Sequence, residues 1–91
     1  MLRNIKLLKK ARILKALGHP VRLSIICKLY DSKQNVTQLC DCLEVSQPVV
    51  SQHLALMRSI GLIEGKRSGA KVIYKIKNPF VRDIIQLVID H

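Results

Sequence analysis

The chain has 91 residues, of which 48% are hydrophobic and 3% aromatic, and 16 lysines and arginines against six acids give a formal net charge of +10. This length fits one domain, and this hydrophobic content argues against a disordered chain. The charge favours nucleic acid as the partner, while the few aromatic rings argue against a surface that stacks single-stranded bases.

The number of cysteines and the hydropathy indicate the compartment in which the protein is expected to act. The number of cysteines is odd (Cys27, Cys40 and Cys42) and no secretory signal precedes them, which is typical of a reduced protein rather than a disulfide framework. No apolar run approaches the roughly 18 residues that a membrane span needs. We therefore expect a cytoplasmic protein without a membrane partner.

Helix 1 is predicted over residues 4–17 and ends at Gly18. It is basic and amphipathic, a pattern that a membrane-surface helix or a transit peptide shares. We favour an ordinary first helix, because the pattern continues directly into the next one. The apolar residues predicted to face inward are Leu7, Ala11, Leu14 and Leu17.

Helix 2 is predicted over residues 20–31 and begins at Pro20, whose missing N–H would have no partner in the first turn anyway. It is apolar on nearly all sides, so we expect it to be the central helix of the core. His19 is expected to be a hydrogen-bonded turn residue. Arg22 is expected either to reach a phosphate or to pair with an acid.

A polar turn, DSKQN, leads into a pair of short helices. Asn35 and Gln38 match a capping box that opens helix 3, and the apolar spacing after them is helical. Helix 4 is predicted over residues 47–60, with Ser46 as its cap. Two short helices around the turn LEVS predict a helix-turn-helix, whose second helix can enter a major groove.

Helix 4 is unusual because short hydrogen-bonding groups, rather than Glu and Lys, occupy its solvent side. Val50, Leu54 and Met57 are predicted to hold it to the core, which leaves the amides and hydroxyls near its N-terminal end facing outward. Such groups suit base edges and phosphates, and a helix N-terminus itself attracts phosphate.

After Gly61 the hydrophobic pattern alternates, in LIEGKRSGAKVIYKIK. Gly65 and Gly69 bracket a basic tip, which predicts a β-hairpin. We favour a phosphate clamp over a merely solvated turn for this tip. A last helix is predicted to begin at Asn78 and Pro79, and it is too apolar to face water alone. We expect it to pair with its counterpart, and with helix 1, in a two-fold dimer.

Three segments, LKALGHPVRLSIICKL, VSQPVVSQHLALMRSIGLI and GAKVIYKI, together resemble the ArsR/SmtB family of winged-helix repressors. The resemblance implies a mainly α winged helix-turn-helix with a small hairpin wing (ααααββα), in a single domain over residues 1–91. It also implies a cytoplasmic homodimer, joined through its terminal helices, that binds double-stranded operator DNA. The residues expected to contact DNA are Ser46, Gln47, Pro48, Ser51, Gln52, His53, Lys66, Arg67 and Lys71. His53 is equally compatible with packing. Catalytic residues are not expected, because the six acids are scattered and form no catalytic pair.

The inducer sites of that family do not transfer to this chain. The positions that match the arsenic-type thiols hold Asn35 and Thr37, and those that match the zinc-type ligands hold Asn78, Phe80 and His91. We therefore expect no metal and no cofactor, and the inducer is unknown.

The segments RLSIICKL and QLCDCLEVSQ have a closer resemblance to the thiol-sensing subgroup of HlyU and BigR. That resemblance implies that oxidation or persulfidation of Cys27 releases DNA, with Cys40 matching a cysteine of some members and the second thiol of the pair falling just beyond His91. From the residues alone, Cys27 and Cys40 are also readable as small buried hydrophobes, and Cys42 as a more exposed thiol. Three alternatives stay open. They are a metal- or metalloid-responsive repressor using Cys40 and Cys42, a constitutive DNA-binding protein, and a winged-helix module that binds protein.

Overall fold

The computed structural model describes residues 3–91, within which five α-helices and a two-stranded antiparallel sheet follow one another in the predicted order. The predicted bounds of the first, second and fourth helices are confirmed to within one residue. The single-domain prediction also includes Met1 and Leu2, which lie outside the described residues. The helices are α1 (Ile5–Leu17), α2 (Pro20–Asp31), α3 (Val36–Leu43), α4 (Gln47–Ser59) and α5 (Pro79–Asp90), and the strands are β1 (Ile63–Ser68) and β2 (Lys71–Ile76).

Side chains that accept hydrogen bonds from free backbone N–H groups define most of the helix starts. Asn35 Oδ1 accepts from Gln38 N at 2.9 Å and Gln38 Oε1 accepts from Asn35 N at 2.8 Å, which confirms the predicted capping box of α3. Asn4 and Asn78 cap α1 and α5 through their side chains. Ser46 occupies the N-cap position of α4 as predicted, but its side chain makes no capping hydrogen bond.

Helix α2 is the centre of the core, as its composition predicts. Ile25, Ile26 and Leu29 are at most 3% exposed, and α2 packs against α1, α3, α4, α5 and β2. The second helix of the predicted helix-turn-helix is attached to this core through its buried face. That face consists of Val50, Leu54 and Met57, the three residues that the helical spacing predicts.

The hairpin is joined to the helices by its backbone. Gly69 opens the two-residue loop between β1 and β2 with φ 64°, the positive φ that a type II′ turn requires at that position. Gln34, in the loop before α3, donates from its N to Tyr74 O at 3.2 Å and accepts from Tyr74 N at 2.7 Å. The hairpin is therefore fixed to the entrance of the helix-turn-helix.

The Tyr74 ring lies against Gly65 on the facing strand. A Cβ at that position would be 2.9 Å from the Tyr74 ring and 2.9 Å from a methyl of Val72. Only glycine leaves room for the ring at this point, which explains a glycine in the interior of β1.

Helix α1 has two apolar faces. Ile13 and Leu17 belong to the buried core, whereas Leu7 and Leu14 are 46% and 52% exposed. Ala11 is exposed as well, so the prediction of an inward face is wrong for Leu7, Ala11 and Leu14 and holds only for Leu17. The i, i+4, i+7 spacing identifies a real apolar face, but the core of this chain takes the other one.

Candidate nucleic-acid interface

The predicted base-reading residues lie in the first two turns of α4. Gln47, Pro48 and Gln52 are exposed and Ser51 is half-buried. Gln47 Nε2 donates to Ser51 Oγ at 3.3 Å, so an amide and a hydroxyl one turn apart are already associated. The structure thus brings the amide of Gln47 and the hydroxyl of Ser51 together near the start of α4.

The start of α4 is open to an anion. Ser46, exposed at the N-cap, makes no side-chain hydrogen bond to the first turn, and that turn has no acidic residue. The unpaired N–H groups and the positive end of the helix dipole attract a phosphate at such a position. Pro48 lies in this first turn without an N–H of its own.

The hairpin divides its basic residues between two faces. Lys66 is paired with Ile73, and Lys71 with Ser68, so Lys66 and Lys71 share the outer face. Arg67 is paired with Val72 and belongs to the opposite face. All three cations are exposed. The predicted DNA contacts of the hairpin therefore form two edges around its tip rather than one patch.

Two further cations, Lys33 and Lys75, lie beside the basic hairpin but are absent from the predicted DNA contacts. A groove of about 630 Å³ beside the hairpin is lined by Lys33 and Lys75 as well as by Lys66 and Arg67. Lys75 forms an exposed ion pair with Glu64 at 3.2 Å, which leaves Lys33 as the stronger addition. Lys75 lies on the same face of the hairpin as Lys71, where strand alternation places it. No local signal shows that the loop of Lys33 pairs with β2.

His53 faces α2. Its Nδ1 lies 3.4 Å from Arg22 Nη1, and its ring centroid lies 4.6 Å from that of His19. Burial, followed by the charges of His19 and Arg22, lowers the pKa of His53 below its ordinary value. Arg22 Nε donates to Ala16 O at 2.7 Å, so the guanidinium contacts a carbonyl and a histidine rather than an acid. The packing interpretation describes His53 in this structure.

The three cysteines are free thiols. Cys27 is half-buried, and its pKa is raised by burial and then by Asp31, while Lys28 acts in the opposite direction. A raised pKa leaves little reactive thiolate at neutral pH. Cys40 is half-buried against the core and Cys42 is exposed, as predicted. Between residues 3 and 91, no group of three His, Cys, Asp or Glu side chains is arranged to hold a metal ion.

The helix pair with its attached hairpin defines a winged helix-turn-helix, and the comparisons with known proteins identify the family. Residues 19–65 match the family model for bacterial regulatory proteins of the arsR family. This chain belongs to the ArsR family, as its motifs predict, and the named members that it matches are transcriptional regulators and not enzymes. In the part of the chain that the structure describes, no helix has both the length and the apolar character to cross a membrane.

The similarity extends over most of the chain. The transcriptional repressor SmtB of Mycobacterium tuberculosis is 38% identical over 79 residues, which cover 87% of this chain and 58% of that repressor. The chain thus spans less than two thirds of that relative. Reduced HlyU from Vibrio cholerae superposes with a TM-score of 0.88 at 35% identity, covering 91% of this chain and 87% of HlyU. A homodimeric winged helix-turn-helix DNA-binding domain from Mycobacterium bovis has a TM-score of 0.84 at 30% identity, covering 94% and 81%.

Proposed function

We propose that this chain forms a dimeric, sequence-specific DNA-binding domain of a transcriptional repressor. The observation that supports this most strongly is the surface at the start of α4, where the exposed amides of Gln47 and Gln52 lie beside an uncapped helix N-terminus. Amides bind adenine edges in pairs of hydrogen bonds, and hydroxyls bind either bases or phosphates. The opposite face of α4 is buried, so the helix presents one defined side to a groove.

The charges of the hairpin support duplex DNA as the ligand. Lys66 and Lys71 on one face and Arg67 on the other surround the tip, and Lys33 extends the positive surface toward the helix-turn-helix. Cations in this arrangement contact the phosphate backbone on both sides of a groove and supply affinity that does not depend on sequence.

The exposed apolar side chains of the terminal helices, α1 and α5, support an interface with a second copy of the chain. On α5, Leu87, Val88 and Ile89 are 63%, 46% and 49% exposed, and the free apolar face of α1 contains Leu7 and Leu14. Apolar side chains in such number at the ends of a small domain mark an interface. The homodimeric domain from Mycobacterium bovis supports a two-fold pair, in which each copy presents one α4 to the DNA.

Binding is expected to weaken steeply with salt, since a pair of chains that neutralises on the order of eight phosphates gives a slope of log K against log salt near −7. A duplex selected from a random-sequence pool by the unmodified chain, and a scrambled duplex, would serve as ligands in fluorescence anisotropy titrations. Binding without salt dependence, or no binding to any duplex, would remove the proposal and favour a protein-binding module.

The same titrations distinguish residues that recognise the base sequence from residues that bind the phosphate backbone. Gln47→Ala or Ser51→Ala is expected to lower affinity for the selected duplex and to spare the scrambled one. The matched comparison is the double variant Lys66→Ala with Lys71→Ala. It is expected to weaken binding to both duplexes alike and to make the slope of log K against log salt less steep. If the lysine variant alters base preference while the glutamine variant does not, the assignment of α4 as the reading helix is wrong.

For the release signal, we propose oxidation or persulfidation of Cys27. Helix α2 contacts both α4 and α5, so a larger polar group on a half-buried α2 thiol disturbs the support of the reading helix and of the terminal interface. The resemblance of RLSIICKL and QLCDCLEVSQ to the thiol-sensing subgroup supports this choice. The alternative inducers are metals or metalloids bound through Cys40 and Cys42.

DNA affinity is expected to fall at least about five-fold after polysulfide or peroxide treatment, and the fall is expected to be faster at higher pH because the raised pKa of Cys27 limits its thiolate. The Cys27→Ser variant is expected to lose this response, while Cys42→Ser, the exposed control, keeps it. The same titration with zinc, copper(I) or arsenite tests the alternative. A response that disappears with Cys42→Ser instead would contradict the role of Cys27.

A further inference from the structure

Arg22 joins three helices at the back of α4. Its Nε donates to Ala16 O at 2.7 Å, and Ala16 lies in the last turn of α1, where backbone carbonyls have no helical partner. Its Nη1 faces His53 Nδ1 at 3.4 Å. One guanidinium on α2 therefore connects the C-terminal end of α1 to the helix proposed to read DNA.

The geometry requires a neutral His53 at this joint. A guanidinium only donates hydrogen bonds, so His53 Nδ1 can pair with Arg22 only while that nitrogen has no proton. His19 Nδ1 accepts a hydrogen bond from Val21 N at 3.1 Å. The two rings lie 4.6 Å apart with an interplanar angle of 48°. A proton added to His53 would thus face the permanent cation of Arg22 and the ring of His19.

The contact between Arg22 and His53 lies where it can define the rotation of α4 about its own axis. Leu54 and Met57 fix how closely the helix approaches the core, and they are non-directional apolar contacts. His53 is half-buried at the edge of that face and directly follows Gln52, which is exposed on the DNA side. A directional contact at this edge selects among the rotations that the apolar contacts permit.

We propose that Arg22 and His53 are a positioning pair that holds α4 in its DNA-reading orientation, and that protonation of His53 weakens the recognition of sequence. The proposal rests on the DNA-binding function proposed above. It goes beyond that function because it gives these two side chains a positioning role through their contacts within the chain, rather than a contact with a base or a phosphate.

The direction of the pH effect follows from linkage. Burial first, then His19 and Arg22, lowers the pKa of His53 in the folded chain, and these two groups are the charges that act on its ring. The unfolded chain therefore binds the proton more readily, with a pKa of about 6.5. Stability from the neutral ring is complete above that value. It is lost as the pH falls through it towards the lower folded pKa.

The test compares affinities for the selected and the scrambled duplex at about pH 7.5 and about pH 5, a range that spans histidine titration. The ratio of the two affinities measures how well the protein recognises the base sequence. The affinity for the scrambled duplex alone measures binding to the phosphate backbone. For the unmodified chain, the ratio is expected to fall at least about five-fold at the lower pH. His53→Asn keeps an acceptor near the place of Nδ1 but does not titrate, so its ratio is expected to be nearly independent of pH. His91→Asn, at the exposed end of α5, is the control and is expected to keep the full pH dependence.

Arg22→Lys completes the test, because an ammonium keeps the charge but cannot reach both acceptors in the geometry of a planar guanidinium. Its ratio is expected to fall about five-fold at neutral pH with the affinity for scrambled duplex unchanged, and circular dichroism would confirm that each variant is folded. An equal loss on both duplexes would overturn the proposal and make Arg22 a phosphate contact. Stronger reading at low pH would also overturn it and make His53 a DNA contact. Should the unmodified chain bind neither duplex, the proposed function itself fails, whereas binding with a ratio indifferent to pH and to both variants removes only the positioning pair.

Discussion

Leu87→Glu is expected to separate the protein into single chains and to weaken binding to the selected duplex at least about 100-fold, since one half of a two-site contact loses the effective concentration that the other half supplies. Leu87 is 63% exposed and forms part of the apolar end of α5, so the fold of one chain does not need it. A carboxylate at this point would be buried without a partner in the proposed dimer.

The measurement is sedimentation equilibrium together with anisotropy titration of the same samples. Leu87→Met is the matched control, because it keeps an apolar side chain of similar volume and is expected to leave both the pairing and the affinity unchanged. A glutamate variant that remains a dimer would place the interface elsewhere on the surface. A monomeric variant with undiminished affinity would show that one chain suffices for DNA binding.

Leu54→Ala is expected to lower the free energy of unfolding by about 2–5 kcal/mol, the range for a large-to-small substitution that leaves a cavity in a core. Leu54 is 1% exposed and lies between Val50 and Met57 on the buried face of α4. Domains of this size are stable by only about 5–15 kcal/mol in total, so the loss is a large share. DNA binding is expected to fall with it, because α4 is held by this face.

The control is two residues away on the same helix. Leu56 is 42% exposed, and Leu56→Ala removes the same atoms from the opposite side of α4. Its effect is expected to stay within about 0.5 kcal/mol. Urea unfolding at one fixed chain concentration measures both, since dimerisation makes stability depend on concentration. Similar losses in the two variants would contradict the burial of only one face of α4.

The elements of the fold could be predicted because their boundaries are encoded locally. Asn35 and Gln38 mark the start of α3 through their own side chains, and Pro20 and Pro79 mark two other helix starts through a missing N–H. The change from helical to alternating hydrophobic spacing at Gly61 separates α4 from the hairpin. None of these signals depends on the rest of the chain.

The orientation of α1 could not be predicted, because periodicity identifies an apolar face without showing what covers it. Leu7 and Leu14 have the spacing of a core face, yet Ile13 and Leu17 form the contact with the core. A short helix with two apolar faces satisfies the pattern equally well in either orientation. Only the positions of the neighbouring helices decide between them.

The residues proposed to contact DNA were predictable as types but not as an arrangement. Uncharged polar groups in QPVVSQH and cations in GKRSGAK are visible in the sequence. Strand pairing decides that Arg67 lies on the other face from Lys66, and a long-range backbone contact brings Lys33 beside the hairpin. The contact of His53 with Arg22 spans 31 positions and has no local signature.

The backbone bridge between Gln34 and Tyr74 has a consequence for any signal that acts on this protein. The bridge couples the hairpin to the helix pair. Movement of one relative to the other would break two hydrogen bonds, at 3.2 and 2.7 Å. In the proposed dimer, the angle and the distance between the two chains remain adjustable. In the proposed dimer, a signal that acts at the terminal helices would therefore release an operator by changing the spacing of the two halves, with each hairpin still joined to its own helix pair.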